Sequence, residues 1–387
     1  MDRSIVVLVP LSTYEQPQVD AAVAQGIALL GGIHRFVRPE ERILLKPNLL
    51  GSALPQRAVT THPAVFAAVA KLLQAEGCTR LTYGDSPGNP TATPRRVAEA
   101  SGIAAAAASL GIPLADFDHG ASTPFPEGRT ARSFFLCNGV RAADALISLP
   151  KMKTHALERI TGAVKNLYGC IFSVNKAMGH AHHPSSEAFA EMLCDLHQCV
   201  KPRLHILDGI LAMEGNGPTS GVPVAMNVLL FSVDAVALDS VFASLVALEP
   251  SAVPTCVSGA RRGLGVMDPA AIEVRTPLGA LTVQEAVARY GKPDFDVFRG
   301  VMKKHFLTKL VPLLPFLQDR PQVDARKCLG CGICQEACPV PEKAVHAGGG
   351  QKARYDYRKC IRCYCCQEMC PAKAITVHHP GLRRRTR

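Results

Sequence analysis

The sequence predicts an α/β protein in two parts: a large domain with a mostly parallel sheet flanked by helices, and a small α+β domain at the C-terminus. In the first 300 residues, short apolar runs alternate with longer Ala-rich segments of helical period, as they do in parallel-sheet proteins. Nine of the 15 cysteines lie between Cys328 and Cys370. Hydrophobic residues make up 48% of the 387 residues, which is enough to bury a large core.

The apolar runs place the strands of the large domain. In chain order, strands are predicted at residues 5–9, 42–45, 80–83, 145–149, 204–207 and 227–232. Helices are predicted between them, for example over residues 63–76 and 95–110. A further helix is predicted from Thr154 to Tyr168, with Gly169 as its stop signal.

Composition and charge limit the class of partner. The chain has 43 Lys and Arg against 32 Asp and Glu, and this net charge of +11 is compatible with nucleic acid, an acidic substrate or an anionic cofactor. Aromatic residues supply only 5% and Trp is absent, so few side chains can stack on single-stranded bases. Apolar runs fall short of the ~18 residues of a spanning helix, and the N-terminal run is too short for a secretory signal. We therefore expect no nucleic-acid partner, no transmembrane segment and a cytoplasmic location.

The cysteine-rich segment contains an internal repeat with a period of 32 residues. It reads Cys328-x2-Cys331-x2-Cys334-x3-Cys338-Pro339 and then Cys360-x2-Cys363-x2-Cys366-x3-Cys370-Pro371. Three thiolates at this spacing can surround one face of an iron–sulfur cube, while the fourth, followed by Pro, reaches the other cube. Gly330 and Gly332 permit the tight turn that this requires. Zinc sites are the alternative, but they usually show two CxxC pairs without this repeated run, so four-iron clusters are favoured.

Residues 323–377 resemble a bacterial-type two-cluster ferredoxin, which implies a small ferredoxin-like two-cluster domain. By that pattern, one 4Fe-4S cluster takes Cys328, Cys331, Cys334 and Cys370, and the other takes Cys360, Cys363, Cys366 and Cys338. Cys365 has no place in this ligand set. Two oxidised clusters of roughly −2 each would reduce the net charge to about +7, which is an ordinary value. The clusters imply electron transfer with a redox partner protein or a low-potential electron donor.

Polar side chains follow four of the predicted strands, at the edge of the sheet where α/β proteins build their sites. The candidate cofactor-binding residues are Lys46, Asn48, Asp85 and Ser86, and the candidate catalytic residues are Lys151, Lys153, His155, Lys165, Asp208 and Glu214. The four lysines are expected to converge on a small anion such as a phosphate or carboxylate. Asp208 and Glu214 could bind a cation or act as acid and base, and Asp208 could equally cap a turn.

Other features have competing interpretations. The run from His180 to His183 could bind a metal, but it has no carboxylate or Cys at ligand spacing nearby, so we interpret it as a polar loop. Residues 301–317 are basic, apolar and interrupted by prolines, which favours a linker packed between domains over an interfacial membrane anchor. The sequence lacks a Walker loop, a convincing GxGxxG turn and a GxSxG elbow, which argues against nucleotide hydrolysis, standard dinucleotide binding and α/β-hydrolase chemistry. An additional flavin or metal is left open.

Several polar segments together resemble a known family. They are Leu-Lys-Pro-Asn at 45–48, Tyr-Gly-Asp-Ser-Pro-Gly at 83–88, Leu-Pro-Lys-Met-Lys-Thr-His at 149–155, Thr-Gly-Ala-Val-Lys-Asn-Leu-Tyr-Gly at 161–169 and the Asp-Gly-Ile to Asn-Gly-Pro stretch at 208–218. The combination is similar to the iron–sulfur branch of the family called domain of unknown function 362. The resemblance covers nearly the whole chain and implies no particular reaction. The predicted divisions are an α/β domain at 1–297, a linker at 298–322, the two-cluster domain at 323–378 and a basic tail at 379–387.

Three functions are compatible with these residues. The favoured one is an oxidoreductase that passes electrons from the clusters to an anionic substrate or cofactor held on the α/β domain. The second is a non-catalytic electron carrier or cluster-delivery protein whose large domain binds a partner. The third is a non-redox lyase or isomerase with structural clusters. The first is favoured because an electron carrier does not require a cluster of polar side chains at the strand ends of its large domain, whereas an enzyme does.

Overall fold

The structure is a computed structural model, and it describes residues 3–89, 92–173, 175–299 and 318–380. Residues 301–317, for which a linker and a membrane anchor are the competing interpretations, lie outside these ranges, as does most of the basic tail. Within the described ranges, none of the helices combines the length and the apolar character that crossing a lipid bilayer requires.

Strands and helices alternate along most of the chain. The strands are β1 Ser4–Pro10, β2 Ile43–Pro47, β3 Leu81–Tyr83, β4 Gly120–Pro124, β5 Ser133–Cys137, β6 Ala145–Leu149, β7 Lys151–His155, β8 Arg159–Thr161, β9 Leu204–Glu214, β10 Val222–Ser232, β11 Ile272–Thr276, β12 Gly279–Thr282, β13 Arg320–Val323, β14 Val345–Gly348, β15 Gln351–Tyr355 and β16 Ile375–His378. The α-helices are α1 Gln16–Leu29, α2 Pro63–Ala75, α3 Pro94–Ala100, α4 Ile103–Ser109, α5 Asn138–Ala142, α6 Ala163–Asn166, α7 Asn175–His182, α8 Ser186–Val200, α9 Ala235–Leu245, α10 Pro254–Arg261, α11 Val283–Tyr290, α12 Ile333–Glu336 and α13 Cys365–Glu368. Short 3-10 helices lie at Ile33–Arg35, Pro55–Arg57, Leu167–Cys170, Pro250–Ala252 and Pro269–Ala271.

One large mixed sheet organises the α/β domain. Its strand order is β12-β11-β1-β10-β9-β6-β2-β3, and β7 pairs with β9 and β8 beside this path. The pairs β1–β11, β9–β6, β6–β2, β2–β3 and β9–β7 are parallel, whereas β1–β10, β10–β9, β11–β12 and β7–β8 are antiparallel. The prediction of a mostly parallel sheet flanked by helices is confirmed.

Two apolar layers cover the two faces of this sheet. Along β1, Val6 and Leu8 belong to one layer, and Val7 and Val9 belong to the other, because successive side chains of a strand point to opposite faces. Helices α1, α2 and α4 pack on the second face, and α8 and α9 pack on the first. Strands buried on both faces read as continuous apolar runs, which is why the sequence located them well.

The predicted helix from Thr154 to Tyr168 is wrong in its first half, because helical structure begins only at Ala163 and then runs through α6 and the following 3-10 helix. Residues 151–161 form the β7–β8 hairpin, and Arg159 adopts a left-handed φ of 67° at its turn. Strand β9 continues to Glu214, seven residues beyond its predicted end, and this extension pairs with β7. Local periodicity does not record such a pairing, so the sequence pattern did not predict β7. The helix predicted at 95–110 is two helices, because Gly102 with a φ of 78° separates α3 from α4.

The C-terminal module, residues 318–380, consists of two small antiparallel strand pairs with one short helix in each half. Strand β13 pairs with β16 and β14 pairs with β15, while α12 and α13 lie within the cysteine runs of the first and second repeat and carry the third cysteine of each run. This arrangement agrees with the small α+β domain expected at the C-terminus.

Candidate functional site

Two small cavities in the C-terminal module are each walled by four cysteines. Cys328, Cys331, Cys334 and Cys370 line the first small cavity, and Cys338, Cys360, Cys363 and Cys366 line the second. In each set, three cysteines come from one repeat and the fourth comes from the other. These walls fit the two clusters, because the grouping is the one expected when the fourth thiolate of each repeat crosses to the other cube.

Hydrogen-bond donors surround the sulfur atoms of both cavities. The backbone N–H groups of Ala353 and Ala374 donate to Sγ of Cys328 at 3.4 Å and of Cys370 at 3.3 Å. In the second cavity, Ala344 N–H donates to Cys338 Sγ at 3.4 Å. Such bonds stabilise thiolate ligands, so this chemistry also fits an iron–sulfur site.

Glycines close the loop of the first small cavity, as the sequence suggested. Gly330 and Gly332 have φ values of 66° and 83°, in the left-handed region that favours glycine. A Cβ atom added to Gly330 would lie 2.5 Å from the carbonyl carbon of Gly350. The loop can therefore approach β15 this closely only with glycine at position 330.

Helix α13 of the second repeat is held by the loop that joins β9 to β10. The fully buried Gln367 uses Nε2 to donate to the carbonyl oxygen of Asn216 at 3.1 Å, to its Oδ1 at 2.9 Å and to the carbonyl oxygen of Gly217 at 3.1 Å. Thr219 donates to the carbonyl oxygen of Glu368 at 2.8 Å. This loop therefore attaches the C-terminal module to the α/β domain.

A larger cavity of about 220 Å³ lies where the α/β domain meets the C-terminal module, and we call it the junction cavity. Its wall on the α/β domain includes Asn48, Asp85, Ser86, Lys153, His155, Lys165, Asn166, Tyr168, Lys176 and His180. Its wall on the C-terminal module includes Glu336, Ala337, Cys365, Glu368 and Met369. The latter residues lie between consecutive cluster cysteines along the chain, so the cavity adjoins the predicted cluster sites.

Among the described residues, three lysines line the junction cavity, and their surroundings differ. Lys153 donates to Asn48 Oδ1 at 2.9 Å and to the Val59 carbonyl oxygen at 2.7 Å, and burial lowers its pKa to about 7. Lys176 donates to the carbonyl oxygens of Ser86 and Pro87, and burial lowers its pKa to about 8. The ammonium groups of Lys153 and Lys176 are therefore already engaged in hydrogen bonds to protein oxygen atoms.

Lys165 is the lysine left available to a ligand. Its ammonium group lies over the rings of Tyr168 and Phe189, 5.1 and 5.5 Å from their centroids. Within the part of the chain that the structure describes, it makes no hydrogen bond and no ion pair within 4 Å, although from a longer distance its charge favours the ionised forms of the Glu158 and Glu368 carboxyl groups. A cation in this position can accept an anion without giving up an existing ion pair.

His155 holds its ring proton at the wall of the junction cavity. Its Nδ1 accepts hydrogen bonds from the backbone N–H groups of Leu157 and Glu158, both at 3.1 Å. The proton of the neutral ring therefore resides on Nε2, which lies 3.0 Å from Oε1 of Glu368 in the C-terminal module. Burial lowers the pKa of His155, in agreement with a neutral ring.

Six of the ten candidate residues in the α/β domain meet in the junction cavity. They are Asn48, Asp85, Ser86, Lys153, His155 and Lys165. Lys46 lies behind the wall, with Nζ 2.8 Å from Oδ1 of Asp85. The expected convergence of four lysines on one anion is therefore wrong, because neither Lys46 nor Lys151 lines the junction cavity and each is paired with a buried carboxylate, Asp85 and Asp208 respectively.

The acidic pair predicted to act together does not form a site. Asp208 lies inside β9, not at its end, and its Oδ2 is 2.7 Å from Nζ of the fully buried Lys151. Glu214 ends the same strand and accepts a hydrogen bond from the backbone N–H of Asp296 at 2.9 Å. Both carboxylates have structural contacts, and neither lines the junction cavity.

Sequence reasoning missed three residues of the junction cavity. Lys176 carried no strand-end signal, and His180 was assigned to a polar loop, whereas it lies on α7 with its ring stacked on Phe189 at 4.2 Å. The buried Nδ1 of His180 has no hydrogen-bond partner among the described residues. Glu368 is part of the cysteine repeat, and nothing in the linear sequence shows that its Oε1 lies 3.0 Å from Nε2 of His155.

Comparisons with known proteins match two separate segments of the chain to known families. Residues 43–244 match the profile described as domain of unknown function (DUF362), and residues 320–371 match that of a 4Fe-4S dicluster domain. The second match gives the chain an iron–sulfur domain with electron-transfer capacity. A thylakoid-associated protein (sll1697) of Synechocystis sp. is 38% identical over 274 residues, which cover 70% of this chain and 83% of that protein.

Two solved structures show only a weak likeness. They are the lactate racemase apoprotein of Thermoanaerobacterium thermosaccharolyticum, with a TM-score of 0.36, and a Thermotoga maritima protein, with a TM-score of 0.34, each at 10% identity. The matches cover 59% and 57% of this chain and only 54% and 56% of those chains. Likeness at this level carries no information on function. From the profile match and the Synechocystis relative, the chain belongs to the DUF362 family.

Proposed function

We propose that this protein is an iron–sulfur oxidoreductase that reduces a small anionic substrate bound in the junction cavity. The observation that carries the proposal is the ammonium group of Lys165, which has no ion-pair partner within 4 Å among the described residues and faces a cavity whose opposite wall is built by the cluster-bearing module. The cysteines of the two small cavities would hold two 4Fe-4S clusters, which supply single electrons when bound.

The dimensions of the junction cavity favour a small substrate. Its volume of about 220 Å³ is below the roughly 300–1,000 Å³ of pockets for drug-sized ligands. A small carboxylate or phosphate fits this volume better than a whole flavin or dinucleotide does. The Nε2–H of His155 lies in the same wall, 3.0 Å from Glu368 Oε1, and it would donate a hydrogen bond to a bound anion that took the place of this carboxylate.

Replacing Lys165 by Met is expected to weaken substrate binding by about tenfold or more, because the mutant cavity lacks its free cation. The holoprotein is photoreduced without oxygen and mixed with small carboxylates, phosphate esters and inorganic oxyanions, and the return of the oxidised absorbance is followed. The matched control is Lys201→Met at an exposed position.

The outcomes separate the three functions. Reoxidation by one class of anion, weakened by Lys165→Met and unchanged by Lys201→Met, supports the oxidoreductase. Reoxidation by a carrier protein alone supports the electron-carrier function. Turnover with the clusters held oxidised supports the non-redox enzyme. If the anion reaches half-saturation at the same concentration with Lys165→Met as with wild type, the proposal that the junction cavity is the substrate site is contradicted.

Anion binding is expected to weaken by roughly three- to tenfold between about pH 6 and about pH 9. The pKa of Lys153 is lowered to about 7 by burial, with Lys165 and Lys151 adding to the shift and Asp85 and Glu368 opposing it. Each proton lost as the pH rises removes a positive charge from the cavity, so the affinity for an anion falls. Lys176, whose pKa burial lowers to about 8, loses its proton in the same range and adds to the fall, whereas the neighbouring His180 does not titrate there, because burial lowers its pKa to about 3.

Calorimetric titration of the oxidised holoprotein with sulfate measures this dependence, since sulfate stays dianionic over the whole range. Lys153→Met should bind sulfate more weakly at about pH 6 and should show a flatter profile. An affinity that stays constant or rises with pH would contradict the assignment.

Two further expectations remain part of the proposal. The divisions at 1–297, 298–322, 323–378 and 379–387 are proposed as the functional units of the chain. A cytoplasmic location is proposed with them, and fractionation of the source cells tests it.

A further inference from the structure

The loop at residues 328–332 leaves the first small cavity at the protein surface. Cys331 is exposed, and the side chain of the neighbouring Leu329 is 65% exposed, which is unusual for a large apolar residue. The second small cavity is more enclosed, since its Cys338, Cys363 and Cys366 are buried. The two cysteine sets therefore differ in their access to solvent.

The α/β domain covers the second set and leaves the first uncovered. Tyr364, between two cysteines of the second cavity, is buried in the main apolar layer of the α/β domain. The next residues form α13, and its Gln367 donates a hydrogen bond to Asn216 in the loop between β9 and β10 of the α/β domain. Leu329 and Cys331 have no such cover among the described residues, so a partner protein can reach this edge of the module.

Basic side chains surround the exposed leucine. Arg326 and Lys327 precede it, and the Arg326 side chain is 92% exposed. Lys352 donates to the carbonyl oxygen of Cys328, and the exposed Lys373 lies between Ala372 and Ala374, which line the first small cavity with Leu329. The docking surface, as we use the term, consists of Arg326, Lys327, Leu329, Cys331, Lys352 and Lys373.

We propose that the docking surface binds an acidic electron-carrier protein. A leucine with a basic rim has the layout of a protein interface, in which an apolar centre is enclosed by polar residues. The four basic side chains complement an acidic partner and would steer its approach, and the patch is small enough for a transient electron-transfer contact. One electron lost by the docked carrier would be gained by the cluster that the four cysteines of the first small cavity, including Cys331, would hold. The onward transfer to a substrate rests on the proposed function, but the docking does not.

The test is the affinity of the oxidised holoprotein for an oxidised, acidic two-iron ferredoxin, measured by calorimetry at low and at high salt. The affinity is expected to fall as salt rises, because charge pairs at a rim are screened. The double variant R326E/K327E is expected to bind about tenfold more weakly or worse. The matched control R95E/R96E reverses an adjacent exposed basic pair on α3 and is expected to bind as wild type does.

A second variant, Lys373→Glu, changes a residue of the docking surface that comes from the second cysteine repeat, and it should also weaken the binding of ferredoxin. Iron and sulfide contents equal to wild type show that the variants retain their clusters. Ferredoxin affinity that is unchanged in both R326E/K327E and Lys373→Glu, or equally reduced in R95E/R96E, overturns the proposal. Binding of phosphatidylglycerol vesicles or single-stranded DNA through these residues, without binding of ferredoxin, overturns it as well. Intact docking without any anion that reoxidises the protein supports the docking surface and contradicts the proposed oxidoreductase.

Discussion

Replacing Lys151 by Met is expected to destabilise the folded α/β domain by about 3–5 kcal/mol. The side chains of Lys151 and Asp208 are both fully buried, and Nζ lies 2.7 Å from Oδ2. The substitution keeps the length of the side chain but leaves a carboxylate without its cation in a site that water does not reach. Asp208 would retain hydrogen bonds from the Tyr14 hydroxyl at 2.8 Å and the His62 N–H at 3.0 Å, which offset only part of the cost.

The matched control is Lys71→Met, which breaks an exposed pair of nearly the same length. Lys71 Nζ lies 2.8 Å from Asp20 Oδ2, but their side chains are 41% and 34% exposed. Its removal should cost less than about 1 kcal/mol, because solvent screens the charges. Urea unfolding of the full holoprotein, followed by far-UV circular dichroism, measures both effects.

The double variant K151M/D208N completes the test. It removes both charges and should recover a large part of the lost stability, because no ion is then left unpaired. Equal unfolding midpoints for Lys151→Met and Lys71→Met, or a double variant less stable than Lys151→Met, would show that the buried pair does not act in this way.

The sequence was sufficient for those elements that local pattern determines. The strands at β1, β2 and β6 are continuous apolar runs, so their burial on both faces is readable residue by residue. The cysteine repeat was readable because its spacing is set by the wrapping of chain around a cube. Strand β7 was missed because its pairing with the second half of β9 joins residues about 60 positions apart, which no local periodicity records.

The same distinction separates the site residues that were predicted from those that were not. Lys153 and His155 were located by their position after a buried strand, and as alternate residues of β7 they both reach the junction cavity. Lys151 has the same local signal, yet it pairs with Asp208 inside the domain. The difference is the placement of a carboxylate on another strand, which is a property of tertiary structure. Glu368 was missed for the same reason, since only the docking of α13 brings it to His155.

Replacing Gln367 by Glu is expected to release the C-terminal module from the α/β domain and to abolish the junction cavity. The Gln367 amide nitrogen faces three oxygen atoms of Asn216 and Gly217 in a fully buried position. A carboxylate of the same shape would place a negative charge against these oxygens, at a cost of several kcal/mol. Sulfate binding should then fall by at least about tenfold, and the radius of gyration from small-angle X-ray scattering should increase.

The internal repeat supplies the matched control for this substitution. Gln335 occupies the equivalent position in the first repeat, also directly after the third cysteine of its run. Its Oε1 accepts a hydrogen bond from the Ala347 N–H at 2.9 Å within the module, and a carboxylate at position 335 can accept the same bond. Gln335→Glu should therefore keep iron content, sulfate affinity and radius of gyration, while Gln367→Glu keeps only the iron. If both variants keep a wild-type sulfate affinity, the anion does not bind between the two parts of the chain, and the electron route proposed through the junction cavity is wrong.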